Sequence, residues 1–339
     1  MQPVFDGHND MLTACEPPDF TGGRTGGHLD AERCRAGGFA GGIFAVFTPT
    51  PGEEPDWPES GPYHFPPADR IGQAEALAHA TSTAAKLFAL EALGAVRVVR
   101  GTADLDRAPG EGTIAAVLHL EGAEAIEPGL GNLDAWYEAG LRSLGPVWSR
   151  PNAFGHGVPF RFPGSPDDGP GLTAAGERLV RRCNELGIVV DTSHLNEAGF
   201  WDVARVSEAP LVASHSGVHA LCASSRNLTG ERLDAIGTTG GVVGIVFAVA
   251  FVRPDGAYDP DTPLATIVDH ARHVADRIGV DHVALGSDFD GTRVPAPLGD
   301  AAGLPRLLDA LAAGGFTPDE VERIAWGNWR RVLGASWSE

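Results

Sequence analysis

Long hydrophobic runs are missing from this sequence. It has no stretch of 18 apolar residues, and its first residues lack a basic segment followed by an apolar one. The first absence excludes a transmembrane helix, and the second argues against a signal peptide. We therefore expect no membrane partner and a cytoplasmic location.

Cysteine and positive charge are also scarce. The four cysteines are scattered without a CxxC pair, so reduced thiols are expected, in keeping with a cytoplasmic protein. Only 25 residues are basic against 45 acidic ones, and the formal charge of −20 argues against nucleic acid and anionic membranes as partners. Lys86 is the single lysine, and the abundance of alanine, glycine and arginine indicates a GC-rich bacterial genome.

The chain does contain eight apolar, β-rich runs, most of them followed by a helical pattern. Several are almost wholly apolar, as strands buried on both faces should be. Strands alternating with helices predict an α/β protein with a (β/α)8 TIM barrel as one domain over residues 1–339, and a doubly wound sheet is the alternative. The predicted strands are residues 4–8, 38–47, 113–120, 141–147, 187–192, 210–214, 241–248 and 282–287.

Two connections are too long to be simple turns. Residues 48–70 contain seven prolines and the aromatic residues Trp57, Tyr63 and Phe65, and residues 151–171 are rich in proline and glycine. Both follow strands, on the side where a barrel keeps its active site. Rigid loops that carry aromatic side chains are best interpreted as walls or lids of a site.

Five of the eight predicted strands end in histidine or carboxylate residues. Side chains at i and i+2 of a strand point to the same face, so the first strand directs two such residues to one point. Active sites of barrels lie at the carboxyl ends of the strands. We expect six residues to meet there: His8, Asp10, Glu121, His194, His215 and Asp288.

The residue types in this set indicate a pair of metal ions. The three histidines and Asp10 supply four ligands, and Glu121 can bridge two ions by giving an oxygen to each. Lys86 lies in a helical stretch away from any strand end, which excludes a carboxylated lysine as the bridge. Two ions about 3.5–4 Å apart would polarise a carbonyl and activate a shared water, whose proton Asp288 is placed to take. The set predicts hydrolysis of an amide or ester.

Short motifs that extend this set span nearly the whole chain. They are DGHND at 6–10, LEG at 120–122, GLT at 171–173, VDTSH at 190–194, SHS at 214–216, SRN at 225–227, GSDFDG at 286–291 and GNW at 327–329. In this order they resemble the membrane (renal-type) dipeptidase family, peptidase family M19, a branch of the amidohydrolase superfamily. Together the motifs are highly specific.

The resemblance implies a cofactor of two zinc ions per chain. One ion would be held by His8, Asp10 and Glu121, and the second by Glu121, His194 and His215. Mixed histidine and carboxylate ligands suit zinc.

The resemblance also implies roles for two further residues. Asp288 matches the family's proton-transferring aspartate, and Arg226 matches the arginine that grips the C-terminal carboxylate of the substrate. A guanidinium fork is well suited to a carboxylate. Family members cleave dipeptides and accept a D-residue at the C-terminal position, so L,D-dipeptides are expected as the small-molecule partner. Because the family often forms dimers, the resemblance also allows a homodimer.

One position departs from the family pattern. After the fourth predicted strand the family usually has a histidine near the scissile carbonyl, and Trp148 takes its place. His156, between two glycines, is a hypothetical replacement, in which case His156→Ala should lower turnover at least tenfold. Asn152 is an alternative donor. The departure bears on the substrate more than on the reaction.

Four neighbouring polar residues have weaker interpretations. His119 shares the face of Glu121 and is either a partner behind the ligands or a packed barrel histidine. Asp191 and Ser193 are candidates for orienting His194. Asp290, before a glycine, is interpreted as a turn residue.

These observations predict a zinc dipeptidase. The alternative within enzymes is another amidohydrolase-type reaction on the same metals, such as hydrolysis of an N-acyl amino acid, a lactam or a lactone. From a different class, the chain could be a metal-binding protein without catalysis. Asp288 argues against that class, because a pure binder has no use for a proton acceptor beside a complete ligand set.

Overall fold

Eleven strands form two sheets in the computed structural model, which describes residues 2–50, 57–59 and 61–337. The strands, numbered in chain order, are β1 Val4–Asn9, β2 Phe39–Phe47, β3 Tyr63–Phe65, β4 Val96–Val98, β5 Ile114–Glu121, β6 Leu141–Gly145, β7 Phe160–Phe162, β8 Val189–Val190, β9 Val212–Ser216, β10 Val242–Ile245 and β11 Val283–Leu285.

Eight of these strands form a closed parallel barrel. The strand order in the sheet is β8-β6-β5-β2-β1-β11-β10-β9. Within this set of eight, strands that are consecutive in the chain are also neighbours in the sheet. A parallel bridge between Asp191 and Val212 joins the two ends of this series, and Thr192 donates a 2.8 Å backbone hydrogen bond to Val212. The prediction of a (β/α)8 barrel is confirmed, and each of its strands overlaps one of the eight predicted runs.

Fourteen α-helices are described. They are α1 Met11–Ala14, α2 Pro17–Gly22, α3 Ala31–Gly37, α4 Gln73–Ala92, α5 Thr102–Glu111, α6 Leu133–Ala139, α7 Ala174–Leu186, α8 Glu197–Val206, α9 Gly230–Thr238, α10 Val249–Val252, α11 Leu264–Ile278, α12 Leu304–Ala313, α13 Pro318–Glu322 and α14 Asn328–Ser336. Short 3-10 segments span Val280–His282 and Ala301–Gly303, and a π segment spans Arg323–Gly327. No helix of the described residues is long and apolar enough to cross a membrane.

Local sequence signals explain where the helices begin and end. Thr173 caps α7, because its hydroxyl accepts a hydrogen bond from the amide of Gly176 at 3.1 Å. The helix ends at Leu186, and the next residue, Gly187, has a φ of 74°, which is readily adopted only by glycine. One face of α7 is apolar and buried against the barrel, through Leu179 and Cys183 among others.

The C-terminal helix α14 fills the lower end of the barrel. Trp329 is fully buried against Phe5, and its indole nitrogen donates to the carbonyl of Leu285 at 2.9 Å. A Cβ on Gly7 would lie 2.4 Å from the Trp329 ring, so the first strand needs glycine here. Below the polar rim, the barrel interior is therefore solid, and the strand ends above it are held in place.

Three strands were not predicted. Strand β4 pairs with the first three residues of β5, outside the eight-stranded series, and its three residues are too short a run to stand out in the sequence. Strands β3 and β7 belong to the two long connections, and they pair in an antiparallel fashion. The predicted loops therefore support each other above the barrel rim, although residues 51–56 and 60 of the first loop lie outside the described residues.

Candidate metal centre and active site

The strand ends bring the predicted ligands together around Glu121, the last residue of β5. The Oε1 atom of Glu121 lies 3.0 Å from the Nε2 atom of His194, 3.5 Å from that of His8 and 3.7 Å from that of His215. Asp10 follows β1, and its Oδ2 atom lies 3.7 Å from His8 Nε2. All five side chains are buried. The structure therefore places these residues within one cluster.

The polar atoms of this cluster fit a divalent cation. Both ring nitrogens of His8 and the Oδ1 atom of Asp10 are buried and have no hydrogen-bond partner among the described residues. Leaving such groups unpaired is costly, and a cation would satisfy them. Four triplets of the described residues have their ligand atoms within 4.8 Å of one another, and two of them match the predicted ligand sets: His8 with Asp10 and Glu121, and Glu121 with His194 and His215. Glu121 belongs to both triplets.

Charge and burial set the protonation of the ligands. Burial lowers the pKa values of His194 and His215 well below the usual value, which favours the neutral, metal-binding form of both rings. Burial raises the pKa of Glu121 to about 8. Although burial opposes it, the carboxylates of Glu121 and Asp10 raise the pKa of His8 to about 10. The cluster thus holds protons that an incoming cation would displace.

The two histidines of the second triplet are each fixed by a serine. The Ser149 hydroxyl lies 2.8 Å from His194 Nδ1, and the Ser214 hydroxyl lies 2.8 Å from His215 Nδ1. The Ser214 hydroxyl in turn donates to the Asp191 carboxylate at 2.5 Å. Through Ser214, Asp191 therefore orients His215 rather than His194, which corrects the expectation from the sequence. Such outer contacts fix the tautomer and direction of a metal-ligating ring.

Two other predicted neighbours have defined contacts. Ser193 lies beside the same network, since its hydroxyl accepts from the amide of His215 at 3.2 Å. His119 is fully buried with its Nδ1 atom 2.9 Å from the Ser143 hydroxyl, and its ring meets that of His8 edge to face. His119 therefore packs behind the ligand cluster.

Asp288 lies on a backbone that is held in an unusual conformation. Its φ is 61°, and the φ of His194 is 66°, values that are uncommon for residues other than glycine. The amide of Asp288 donates to the carbonyl of His8 at 2.9 Å. Burial and the nearby Asp10 carboxylate raise the pKa of Asp288 to about 7. Because strained residues tend to mark functional sites, the backbone supports a role for both residues.

The loop of Asp288 is held in place by Asp290, which also has a positive φ, at 69°. Its carboxylate accepts hydrogen bonds from the Arg24 guanidinium and, at 2.7 Å, from the amide of His28. The amide of Asp290 donates to His28 Nδ1 at 2.8 Å. The predicted turn residue is therefore also an anchor, and sequence reasoning missed Arg24 and His28 because they lie more than 250 positions away.

Arg226 is buried at the edge of the cluster, where its guanidinium faces the ligands. Its Nη2 atom lies 2.8 Å from His215 Nε2, and its Nε atom lies 3.2 Å from His194 Nδ1. Burial lowers the pKa of Arg226 to about 10, so it stays cationic at neutral pH. His215 Nε2 has a single lone pair, which can either accept a hydrogen bond from the guanidinium or bind a cation. When it binds a cation, Arg226 Nη2 loses this partner and can bind an anionic group.

A cavity of about 470 Å³ opens above the cluster. Asp10, Glu121, His194, Arg226 and Asp288 lie at its polar end. Its remaining walls come mainly from the two long loops and from the chain after β10, and seven of the side chains there are phenylalanine, tryptophan or tyrosine. Described residues of both long loops line the cavity, in agreement with their predicted role as walls.

Asn152 and His156 lie outside this set of lining residues. The Asn152 amide donates to the Pro146 carbonyl at 2.8 Å, and its Oδ1 atom accepts from the amides of Phe154 and Gly155 at 2.8 and 3.2 Å. Its side chain is thus occupied in shaping the loop. His156 is half-buried with its Nδ1 atom 3.4 Å from the carbonyl of Gly171.

The structure therefore predicts different effects for the two residues. We expect His156→Ala to keep its kcat/KM within about twofold of the unchanged protein, and Asn152→Ala to lower the free energy of unfolding by about 1–3 kcal/mol through lost loop hydrogen bonds. Thermal unfolding and steady-state kinetics on both variants test this. A tenfold loss of turnover in His156→Ala, with unchanged stability, would return this histidine to the reaction.

Fold and site together define the class of protein. A closed (β/α)8 barrel with histidines and carboxylates gathered at its strand ends is a metal-dependent hydrolase of the amidohydrolase type. The chain belongs to the membrane dipeptidase family, peptidase family M19, whose sequence profile matches residues 1–337. It is therefore a dipeptide-hydrolysing metalloenzyme, as the sequence motifs predicted.

Two similar solved structures agree with this assignment. A metallo peptidase from Rhodobacter sphaeroides, solved with a phosphinate mimic of the dipeptide L-Ala-D-Ala, is 43% identical, covers 99% of both chains and superposes with a TM-score of 0.94. A second solved structure, a dipeptidase of family M19, is 44% identical with the same coverage and TM-score. An uncharacterised protein encoded in the pqqA 5′ region of Klebsiella pneumoniae is 49% identical over 246 residues, 73% of this chain and 91% of the relative.

Proposed function

We propose that the chain is a binuclear zinc dipeptidase that accepts a D-residue at the C-terminal position. The observation that carries this proposal is the pair of ligand triplets that share Glu121 at the floor of the cavity. His8 and Asp10 would hold one ion with Glu121, and His194 and His215 would hold the second. Mixed imidazole and carboxylate ligands suit zinc, and a shared carboxylate can contact two ions at once.

The metal pair and Asp288 would have different roles in hydrolysis. Two bound zinc ions would polarise the scissile carbonyl and lower the pKa of a water that they share. Asp288 lies in the same cavity, and its carboxylate would take a proton from the attacking water and deliver it to the leaving amine. Its anchored loop keeps that carboxylate in position, which costs no reorganisation during the reaction.

Arg226 is proposed to bind the C-terminal carboxylate of the dipeptide. It lies in the cavity beside the second triplet, and its planar guanidinium can form two parallel hydrogen bonds to a carboxylate. This contact fixes the substrate by its terminus rather than by its side chain. A D-residue at that position keeps the carboxylate, so tolerance of D-residues is compatible with this form of binding. The support for L,D-dipeptides is the resemblance to the family and the dipeptide mimic in the R. sphaeroides relative.

The proposal predicts a marked dependence on a free C-terminus. With zinc-reconstituted protein, we expect L-Ala-L-Ala and L-Ala-D-Ala to be cleaved, and their C-terminally amidated forms to react at least about 100-fold more slowly, since a charged hydrogen-bonded pair would be lost. Release of free amino acids, measured together with the metal content, tests this.

The same panel separates the alternative reactions. Equal cleavage of free and amidated dipeptides would remove Arg226 from carboxylate binding. If two zinc ions are bound and no dipeptide is cleaved, the metal centre acts on another amide or ester, such as an N-acyl amino acid, a lactam or a lactone.

A further inference from the structure

Six aromatic side chains form one continuous surface of the cavity above the ligand cluster. They come from the two long loops, from the short segment between β6 and the second loop, and from the chain that follows β10. We call this surface the aromatic wall: Trp57, Phe65, Trp148, Phe160, Phe251 and Tyr258.

The aromatic wall is packed before any substrate arrives. Trp57 is its centre, and its ring lies 5.1 Å from Phe65, 5.3 Å from Tyr258, 5.5 Å from Phe160 and 5.8 Å from Phe251. The pairing of β3 with β7 aligns Phe65 with Phe160 and so joins the two loops. Aromatic pairs at such separations stabilise each other beyond the area that they bury. The wall is therefore a preformed apolar surface, which a ligand can contact with little loss of conformational entropy.

The aromatic wall begins directly beside Arg226. The guanidinium carbon of Arg226 lies 6.0 Å from the centre of the Phe251 ring, and the Phe160 ring is stacked parallel to Phe251 at 5.9 Å. On the other side, Trp148 and Phe160 lie 5.7 and 6.3 Å from the His194 ring. A group held by Arg226 would thus place its nearest substituents against Phe251 and Phe160.

The cavity has few charged groups that could pair with a charged side chain of the substrate. Among the described lining residues, the charged groups are Arg226, the three carboxylates of the proposed centre and Asp290. The Asp290 carboxylate is already paired with Arg24. A charged substrate side chain would lose hydration against the aromatic wall without gaining a partner there, which is unfavourable.

We propose that the aromatic wall selects dipeptides whose C-terminal residue has a large apolar or aromatic side chain. The inference rests on the proposed function, because Arg226 must hold the C-terminal carboxylate for that residue's side chain to reach Phe251 and Phe160. Burial of a large side chain against a preformed apolar surface raises kcat/KM by about tenfold or more over a methyl group. Trp57 would act as a specificity-determining residue through its contacts with the rest of the wall.

A panel of dipeptides with a constant N-terminal alanine tests the preference. The zinc-loaded protein is assayed with Ala, Leu, Phe, Lys or Asp at the C-terminal position, each as the L- and the D-form. We expect kcat/KM for Phe and Leu to exceed that for Ala by at least about tenfold in whichever configuration is cleaved faster, and the values for Lys and Asp to fall below that for Ala.

A matched pair of tryptophan variants assigns the preference to the wall. We expect Trp57→Ala to reduce the Phe-to-Ala ratio of kcat/KM to less than about threefold. Trp201→Ala is the control, because Trp201 lies on the surface of α8 with 39% of its area exposed and should leave both the ratio and the activity unchanged. Phe65→Ala provides a second variant of the wall, and thermal unfolding of each protein shows that it is folded.

The outcomes separate this inference from the proposed function. Equal kcat/KM for Ala and Phe, or a preference for Lys or Asp, would overturn the selection by the wall and leave the dipeptidase activity standing. A Phe preference that survives in Trp57→Ala and Phe65→Ala would also overturn it. If no member of the panel is cleaved by protein with bound zinc, both the selection and the dipeptidase function fall.

Discussion

Replacing Asp288 with asparagine is expected to abolish dipeptide hydrolysis while the protein still binds metal. An asparagine has nearly the same shape as aspartate, but its amide cannot take a proton from water at neutral pH. Positioned acid–base groups contribute roughly 10²–10⁴-fold to enzymatic rates, so we expect kcat to fall by at least about 100-fold. The metal content should stay at that of the unchanged protein, because the two triplets around Glu121 do not need Asp288.

The measurement is kcat with a cleavable dipeptide, together with the metal content of the same sample by elemental analysis. Asp309→Asn is a suitable control, because it makes the same chemical change at an exposed position of α12. If Asp288→Asn kept more than a tenth of the activity, another group would have to transfer the proton. Loss of metal along with activity would make Asp288 a ligand, as its proximity to His8 and His215 would then allow.

The ligand cluster could be predicted because the barrel fold largely determines where the strand ends lie. Once eight strands are recognised, their carboxyl ends must meet at one rim, and the polar residues there fall close together whatever the loops do. His8 and Asp10 were assigned to one point from their spacing alone, and the structure places them 3.7 Å apart. The prediction that His8 and Asp10 lie close together therefore depends little on how the loops pack.

Several contacts that fix the ligands and the loop of Asp288 could not be predicted from the sequence. Ser149 meets His194 across 45 positions, and Arg24 reaches Asp290 across 266. Neither serine nor arginine at these positions has a periodic or spacing signal, since loops rather than strands carry them. Asp191 had such a signal, but the sequence could not show that Ser214 stands between it and His215.

The substrate-facing surfaces depend even more on long-range packing. Strands β3 and β7 have three residues each and acquire their structure only by pairing with each other across the two long loops. Composition predicted that the rigid loops and their aromatic residues form walls of the site, and Trp57 and Phe65 do line the cavity, whereas Tyr63 is not among the lining residues. The sequence did not show which rings from other segments join them, so the complete aromatic wall is defined only by the assembled structure.

Replacing Glu121 with glutamine is expected to remove metal and activity together. Glu121 is the one residue common to both triplets, and its Oε1 atom lies within 3.7 Å of the Nε2 atoms of all three histidines. Glutamine keeps the shape of the side chain but loses the negative charge that holds cations in a buried site. Even residues that only support metal ligands change affinity by roughly 10–100-fold, so we expect the affinity for zinc to weaken by at least about 100-fold.

The measurement is the number of zinc ions retained per chain after dialysis, with kcat/KM on the same samples. Glu127→Gln is the matched control, since Glu127 is exposed six positions further along the same loop region. We expect two ions in the control and at most one in Glu121→Gln, with activity lost in the latter. Two tightly held ions in Glu121→Gln would show that the triplets bind independently, and the bridged centre would then have to be abandoned. One retained ion with full activity would instead identify a mononuclear enzyme, because hydrolysis would then need only one of the two triplets.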